Sequence, residues 1–229
     1  MAGSEIDRRA RRSAEVAAFL DRAGRMAPQA SGGRLAFALD ATMSRQPTWD
    51  LACTLQGGMF EAARRAGGLE VQLVYFRGLG EARASPWVRD AAALSRVMSG
   101  IDCRGGLTQI GRVLDHVDRA AARRPVAALA YVGDAMEEEI DRLAEKAGRL
   151  RLRGVRAFMF LEGADPAARR AFGEIARITG GALLPFDRSA AGELGALLGA
   201  VATYAAGGRP ALEAARTGAA RRLLVDLRP

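Results

Sequence analysis

The sequence predicts an α/β fold: a mostly parallel central sheet with a short edge strand and helices on both faces. Three features predict it. The apolar runs Leu35 to Leu39, Val126 to Val132 and Val155 to Leu161 lack the polar alternation of a sheet with one wet face, so both their faces must be covered. Segments with helical apolar spacing fall between them, the alternation that produces right-handed strand-helix-strand crossovers. With 229 residues, 49% of them apolar, the chain can bury one sizeable core, and nothing in its composition matches a disordered, collagenous or disulfide-framework protein.

From the N-terminus, Ser4 with Asp7 marks a helix start, and the helix runs to about Arg25 with Val16, Phe19 and Leu20 on one face. Met26 to Gly33, with Pro28, Ser31 and paired glycines, links it to the first strand. Trp49 to Ala66 reads as a helix with Leu51, Leu55, Met59 and Phe60 as its inward stripe. Leu69 to Phe76 is the second strand, and Glu81 to Trp87 a short edge strand interrupted by Pro86. A helix over Asp90 to Met98 leads into a loop with Asp102 and Cys103, and Ile110, Val113, Leu114 and Val117 carry the next helix.

After the strand at Val126 to Val132, a helix is expected over Glu137 to Leu150. Its first residues, Glu137, Glu138 and Glu139, sit where a helix dipole favours negative charge, although one of them could instead touch a cation through water. Then follow a strand at Val155 to Leu161, a helix at Asp165 to Thr179, a short strand at Leu183 to Phe186 and a helix at Ala190 to Tyr204. Beyond Gly207-Gly208, the spacing of Leu212, Ala215, Ala219 and Leu223 predicts one amphipathic helix over Arg209 to Pro229. The expected organisation is an N-terminal helix and linker over 1–30, a domain over 31–208 and a C-terminal helical appendix over 209–229.

The first strand stops abruptly at Asp40, with hydroxyls at Thr42 and Ser44 just beyond. Open α/β sheets place their ligands at the carboxyl ends of their strands, where these groups would stand. A carboxylate with two hydroxyls offers hard oxygen donors, which suit Mg²⁺ far better than zinc or copper. Gly105-Gly106-Leu107-Thr108 presents another hydroxyl ahead of a helix, and the Val126 strand ends at Gly133-Asp134, again a strand end followed by an acid. Each piece alone has a plainer reading: an Asx-turn or helix cap for Asp40 to Ser44, and the end of the preceding helix for the two glycines.

Together, Asp40-x-Thr42-x-Ser44, Gly-Gly-x-Thr108 and the strand-terminal Asp134 resemble the metal-ion-dependent adhesion site of the von Willebrand factor A domain family, over roughly Arg34 to Gly208. Thr42 departs from the serine usual at that position, one hydroxyl replacing another. The resemblance implies a three-layer Rossmann-like fold that binds Mg²⁺ or Mn²⁺. Thr42, Ser44 and Thr108 would be direct or near-direct ligands, with Asp40 and Asp134 acting largely through water. It also implies a non-enzymatic protein-interaction module, whose open coordination position takes an Asp or Glu from a protein partner.

The competing class is a Mg²⁺-dependent phosphatase of the haloacid dehalogenase type. That chemistry needs Asp-x-Asp, where this chain has Thr42, and a lysine ahead of its last acidic motif, whereas Lys146 follows Asp134. A nucleotide-binding enzyme is opposed by the absence of a Gly-x-Gly-x-x-Gly loop after the first strand. His116, the sole histidine, is expected at the surface with no nucleophile motif around it.

Net charge is +8 with a pI near 10.7, yet the arginines are spread among acids without interleaved aromatics, so no nucleic acid partner is expected. Arg8, Arg9, Arg11 and Arg12 form a cluster able to meet an acidic surface. Cys53 and Cys103 are too few for a disulfide framework. With an arginine-rich N-terminus and no apolar run near the ~20 residues of a membrane span, they point to a cytoplasmic protein without a membrane segment.

Overall fold

The structure, a computed structural model, describes residues 32–227. The helix expected over Ser4 to Arg25 and the cluster Arg8 to Arg12 lie outside the described residues. Six strands form one sheet: β1 (Gly33–Asp40), β2 (Leu69–Arg77), β3 (Glu81–Ala84), β4 (Ala128–Gly133), β5 (Arg156–Glu162) and β6 (Ala182–Phe186). Their order is β3-β2-β1-β4-β5-β6, with only β3 antiparallel. The helices are α1 (Gln46–Arg64), α2 (Ala91–Ser99), α3 (Ile110–Arg123), α4 (Ile140–Leu152), α5 (Pro166–Thr179), α6 (Ala191–Ala215) and α7 (Gly218–Asp226).

Strand alternation divides the core in two. Leu35, Phe37 and Leu39 of β1, with Ala128, Ala130 and Val132 of β4, face a layer made by α1, α2, α6 and α7. Ala36 and Ala38 of β1, with Leu129 and Tyr131 of β4, face α3, α4 and α5. Both faces are therefore dry, as the unbroken apolar runs require. The small Ala36 and Ala38 leave room on that second face for large neighbours, and Tyr131 stacks with Phe76 and meets the edge of Phe172.

The edge strand is shorter than expected. β3 ends at Ala84, because Ser85 takes over: its hydroxyl accepts a hydrogen bond from the Leu73 amide at 3.1 Å, and Pro86 has no N–H to continue the ladder. Beyond Pro86 the segment is kept against the sheet by the isolated pairing of Val88 with Val71, by Trp87 under the Arg34 guanidinium of β1 at 3.7 Å, and by Arg89 donating to Glu70 of β2. α5 starts as its residues dictate, with Pro166 in the first turn and the Asp165 carboxylate accepting from the Ala168 amide at 2.6 Å.

The segment after residue 208 is two helices rather than one. Gly207 and Gly208 kink α6 with non-helical dihedrals, and α6 resumes only as far as Ala215. Arg216 then turns into the left-handed region at φ 52°, and the Thr217 hydroxyl caps α7 by accepting from the Ala220 amide at 3.1 Å. Leu212, Ala220, Leu223 and Leu227 are all buried in the same cluster as β1 and α1. No helix among the described residues is long and apolar enough to cross a membrane.

Leu212→Ala and Leu223→Ala should each lower the unfolding free energy by about 2–5 kcal/mol in urea titrations, the range for emptying a core leucine site. A loss below ~0.5 kcal/mol, typical of a surface substitution, would show that these helices lie apart from the core.

Candidate functional site

Parallel pairing sets Leu39 of β1 beside Val132 of β4, so Asp40 and the Gly133-Asp134 turn leave the sheet at one edge. Two backbone bonds secure the start of the β1 loop: the Ala41 amide donates to Phe76 O at 3.0 Å, and the Arg104 amide donates to Ala41 O at 2.9 Å. The second draws the loop that contains Thr108 against β1. Gly106 is required there by close approach, since a Cβ on it would lie 2.2 Å from Gly78 O. The preceding helix, α2, already ends at Gly100, so Gly105 and Gly106 do not terminate it.

Asp40 is buried at 4% exposure, and its Oδ1 accepts from the Thr42 amide at 2.8 Å, an Asx-type turn. Burial pushes its carboxyl up to about 6, against hydrogen bonds from the Thr42 hydroxyl and amide and attraction to Arg45, with repulsion from Asp134 adding to the rise. Thr42 itself is buried, and Ser44 lies in the single turn Met43–Arg45 that follows.

Thr108 is committed elsewhere. Its hydroxyl donates to Glu137 Oε2 at 2.6 Å and accepts from the Glu137 amide at 3.2 Å, while its own amide donates to the same carboxylate oxygen at 3.0 Å. Glu138 accepts from the Ile110 amide and, at 2.9 Å, from the Gly111 amide. The expectation that these glutamates open their own helix is corrected: α4 begins at Ile140, and Glu137 and Glu138 instead cap the N-terminus of α3, whose N-cap residue Gln109 makes no side-chain cap. The dipole argument holds, but for a neighbouring helix.

The group that sequence reasoning missed is Arg45. It is 2% exposed, with Nη1 at 3.2 Å from Asp134 Oδ2 and Nη2 at 2.5 Å from Glu162 Oε2. Glu162 ends β5, one strand beyond β4, and also accepts from the Thr48 hydroxyl at 2.5 Å. The signal that singled out Asp40 and Asp134, an acid closing an apolar strand, was equally present in Phe158 to Glu162.

The structure thus brings Asp40, Thr42, Ser44, Thr108 and Asp134 to one edge, but two of these five are held by side chains of the chain itself: Asp134 by Arg45 and Thr108 by Glu137. Among the described residues, no three His, Cys, Asp or Glu side chains form a metal-binding group. A guanidinium at Asp134 and a carboxylate on Thr108 engage two of the five donors that a divalent ion would need. His116 is half-buried rather than at the surface, its Nε2 2.9 Å from Gln72 Oε1, and burial with Arg119 and Arg123 nearby holds its pKa below the usual value.

No family profile matches the sequence, and no curated protein matches it. Solved structures do match. The chain is similar to the SpRpn10 VWA domain, at 13% identity and TM-score 0.57 over 69% of this chain and 90% of that one. It is similar to the vWF domain of the type V pili tip protein Mfa5 from Porphyromonas gingivalis, at 9% identity and TM-score 0.56 over 76% and 95%. A third is proximal thread matrix protein 1 from the mussel byssus with a zinc-occupied MIDAS motif, at 17% identity and TM-score 0.53 over 76% of this chain and 46% of that one. The fold is therefore a Rossmann-like fold of the von Willebrand factor A type.

Two outcomes follow from the site. Glu162→Gln should cost about 3–5 kcal/mol of unfolding free energy in urea, the range for breaking a buried ion pair, whereas a loss under ~1 kcal/mol would class the pair as a surface contact. For Asp40, the folded carboxyl near 6 lies above its ordinary 3.8, so the folded state binds more protons between those values and stability drains away as pH rises through them. Asp40→Asn removes this loss, so its stability relative to wild type should climb by up to about 3 kcal/mol from pH ~4 to pH ~7. A difference independent of pH would refute the shift.

Proposed function

We propose that this chain is a non-enzymatic protein-interaction module that binds a protein partner at the carboxyl-terminal edge of its sheet, around Asp40, Thr42, Ser44, Thr108 and Asp134. One observation carries the reading: the edge presents exposed apolar side chains around a buried polar centre. Met43 follows β1, Leu79 sits at the turn after β2, and Leu107 precedes Thr108; they are 69%, 89% and 56% exposed. The turn at Gly78 packs on Gly106, and Gln109 Nε2 donates to Gly78 O at 3.3 Å, so the loops bearing Leu79 and Leu107 are neighbours. Exposed apolar groups rimming a polar pocket are the composition of a docking surface.

The similar structures include a pilus adhesin from Lactobacillus rhamnosus GG, which supports a partner of protein nature. The resemblance further implies Mg²⁺ or Mn²⁺ and a partner Asp or Glu. The zinc-occupied site of the mussel protein speaks for an ion in this fold, and Arg45 at Asp134 speaks against one here. The phosphatase alternative has no support in these similarities, and it would need Asp40, buried and bonded to Thr42, to act as a nucleophile. A cytoplasmic setting belongs to the proposal, in keeping with the free thiols of Cys53 and Cys103.

Capture experiments with the immobilised protein test this. Proteins retained by the wild type should be lost, at least tenfold by quantitative mass spectrometry, from a Met43→Asp/Leu107→Asp variant, and kept by Leu152→Asp and Val225→Asp, which alter exposed apolar residues in α4 and α7. Equal loss from all variants, or retention by the Met43/Leu107 variant, would reject the edge as the docking surface.

A further inference from the structure

We infer that Arg45 is the resident cation of this edge: its guanidinium takes the place between the strand-end carboxylates that a divalent ion would take, so that the site is completed without metal. The inference rests on the von Willebrand factor A-type reading of the edge. The geometry that carries it is local to three strand ends. Asp134 leaves β4 and Glu162 ends β5, and one guanidinium binds both, Nη1 to Asp134 Oδ2 at 3.2 Å and Nη2 to Glu162 Oε2 at 2.5 Å. Both contacts are ion pairs rather than directional hydrogen bonds, since Nε and Nη2 are buried without a hydrogen-bond partner, so it is the positive charge that serves the two carboxylates.

Three further features mark this as a built position rather than a surface arginine that has folded inward. The Arg45 side chain is 3% exposed, less than the other ion-paired arginines among the described residues, from Arg34 at 11% to the open Arg142 at 76%. Its backbone is fixed directly beside Asp40 and Thr42, since the Arg45 amide donates to Thr42 O at 2.9 Å and closes the turn that starts α1. Its second carboxylate is also held by the Thr48 hydroxyl, three residues further along the chain in α1, which donates to the same oxygen, Glu162 Oε2. The stretch Arg45 to Thr48 thus supplies both the cation and a clamp for its counter-ion.

The consequence for chemistry is mutual exclusion. An ion drawn to Asp134, directly or through water, competes with a guanidinium already paired with that carboxylate, and Thr108, a hydroxyl such an ion would want, already gives its proton to Glu137. A partner that docks here meets an arginine-completed centre, and its binding is indifferent to chelators.

Thermal unfolding of the purified chain in EDTA, in MgCl₂ and in MnCl₂, each ion at millimolar concentration, tests this without reference to any partner. Wild type should melt at one temperature in all three buffers. Arg45→Gln should melt lower in EDTA and recover in either salt, by roughly 5–10 °C at a 100-fold excess of ion over its dissociation constant. Adding Asp40→Asn to that variant should abolish the recovery.

A wild-type rise with Mg²⁺ or Mn²⁺ that Asp40→Asn removes would overturn the inference, as would a folded Arg45→Gln that responds to neither ion. Should Arg45→Gln not fold, Arg45→Lys replaces it: silence of the wild type and of this variant supports a resident side-chain cation, and a rise in either overturns it. The thermal unfolding test and the capture experiment fail separately. A silent wild type that captures nothing sinks the interaction reading and leaves Arg45 in place, whereas a metal response with intact capture does the reverse.

Discussion

A parallel strand covered on both faces can turn polar only where it leaves the sheet, and this constraint shapes everything that follows in the molecule. β1 lies between β2 and β4, and its residues from Leu35 to Leu39 are essentially inaccessible to solvent. Each of its neighbours runs the same way, so β1, β4 and β5 discharge their first carboxylates, Asp40, Asp134 and Glu162, along one edge. Three acids at one rim of a dry core is an electrostatic problem before it is a site. The chain answers it with two buried donors, the Thr42 amide on Asp40 and the Thr48 hydroxyl on Glu162, and with one buried positive charge, the Arg45 guanidinium ion-paired to Asp134 and Glu162.

The same economy of capping operates next door. α3 begins with no side-chain cap of its own, and four of its leading amides and hydroxyls, from Thr108 to Gly111, would be left unpaired beside the sheet edge. Glu137 and Glu138 satisfy them from the following loop. The loop after β4 is thereby bolted to the loop before α3, and Thr108 is drawn into a structural bond rather than left facing outward. The strand ends of this edge are thus cross-linked by side chains from adjacent loops.

Much of the architecture was legible in the sequence because burial leaves a periodic trace. The strands at Leu35, Leu69, Val126 and Val155 and the helix at Asp165 announced themselves by apolar runs, by a Pro in the first turn and by a capping Asp. What was not legible depended on contacts between distant segments. Glu137 and Glu138 read as the start of a helix because sequence shows only local dipoles, whereas the donors they serve lie about one helix earlier in the chain; Glu139 alone stands at the start of its own helix. The appendix read as one amphipathic helix because its apolar spacing continues through Arg216, and only the left-handed turn there breaks it. His116 read as exposed because its partner, Gln72, is contributed by β2.

The candidate site divides along the same line. Asp40, Thr42, Thr108 and Asp134 could be gathered from order and spacing, because strand ends in a parallel sheet necessarily come together. Whether such a gathering holds an ion depends on the net disposition of charge, to which a residue outside the motif pattern, Arg45, contributes directly. An arginine directly after Ser44 is compatible with a solvated side chain as far as local sequence goes; it becomes a buried counter-ion only because Glu162 stands one strand further along and Thr48 fixes that carboxylate. A motif of oxygen donors is therefore an incomplete description of a cation site until every carboxylate within reach, and every cation already serving them, has been counted.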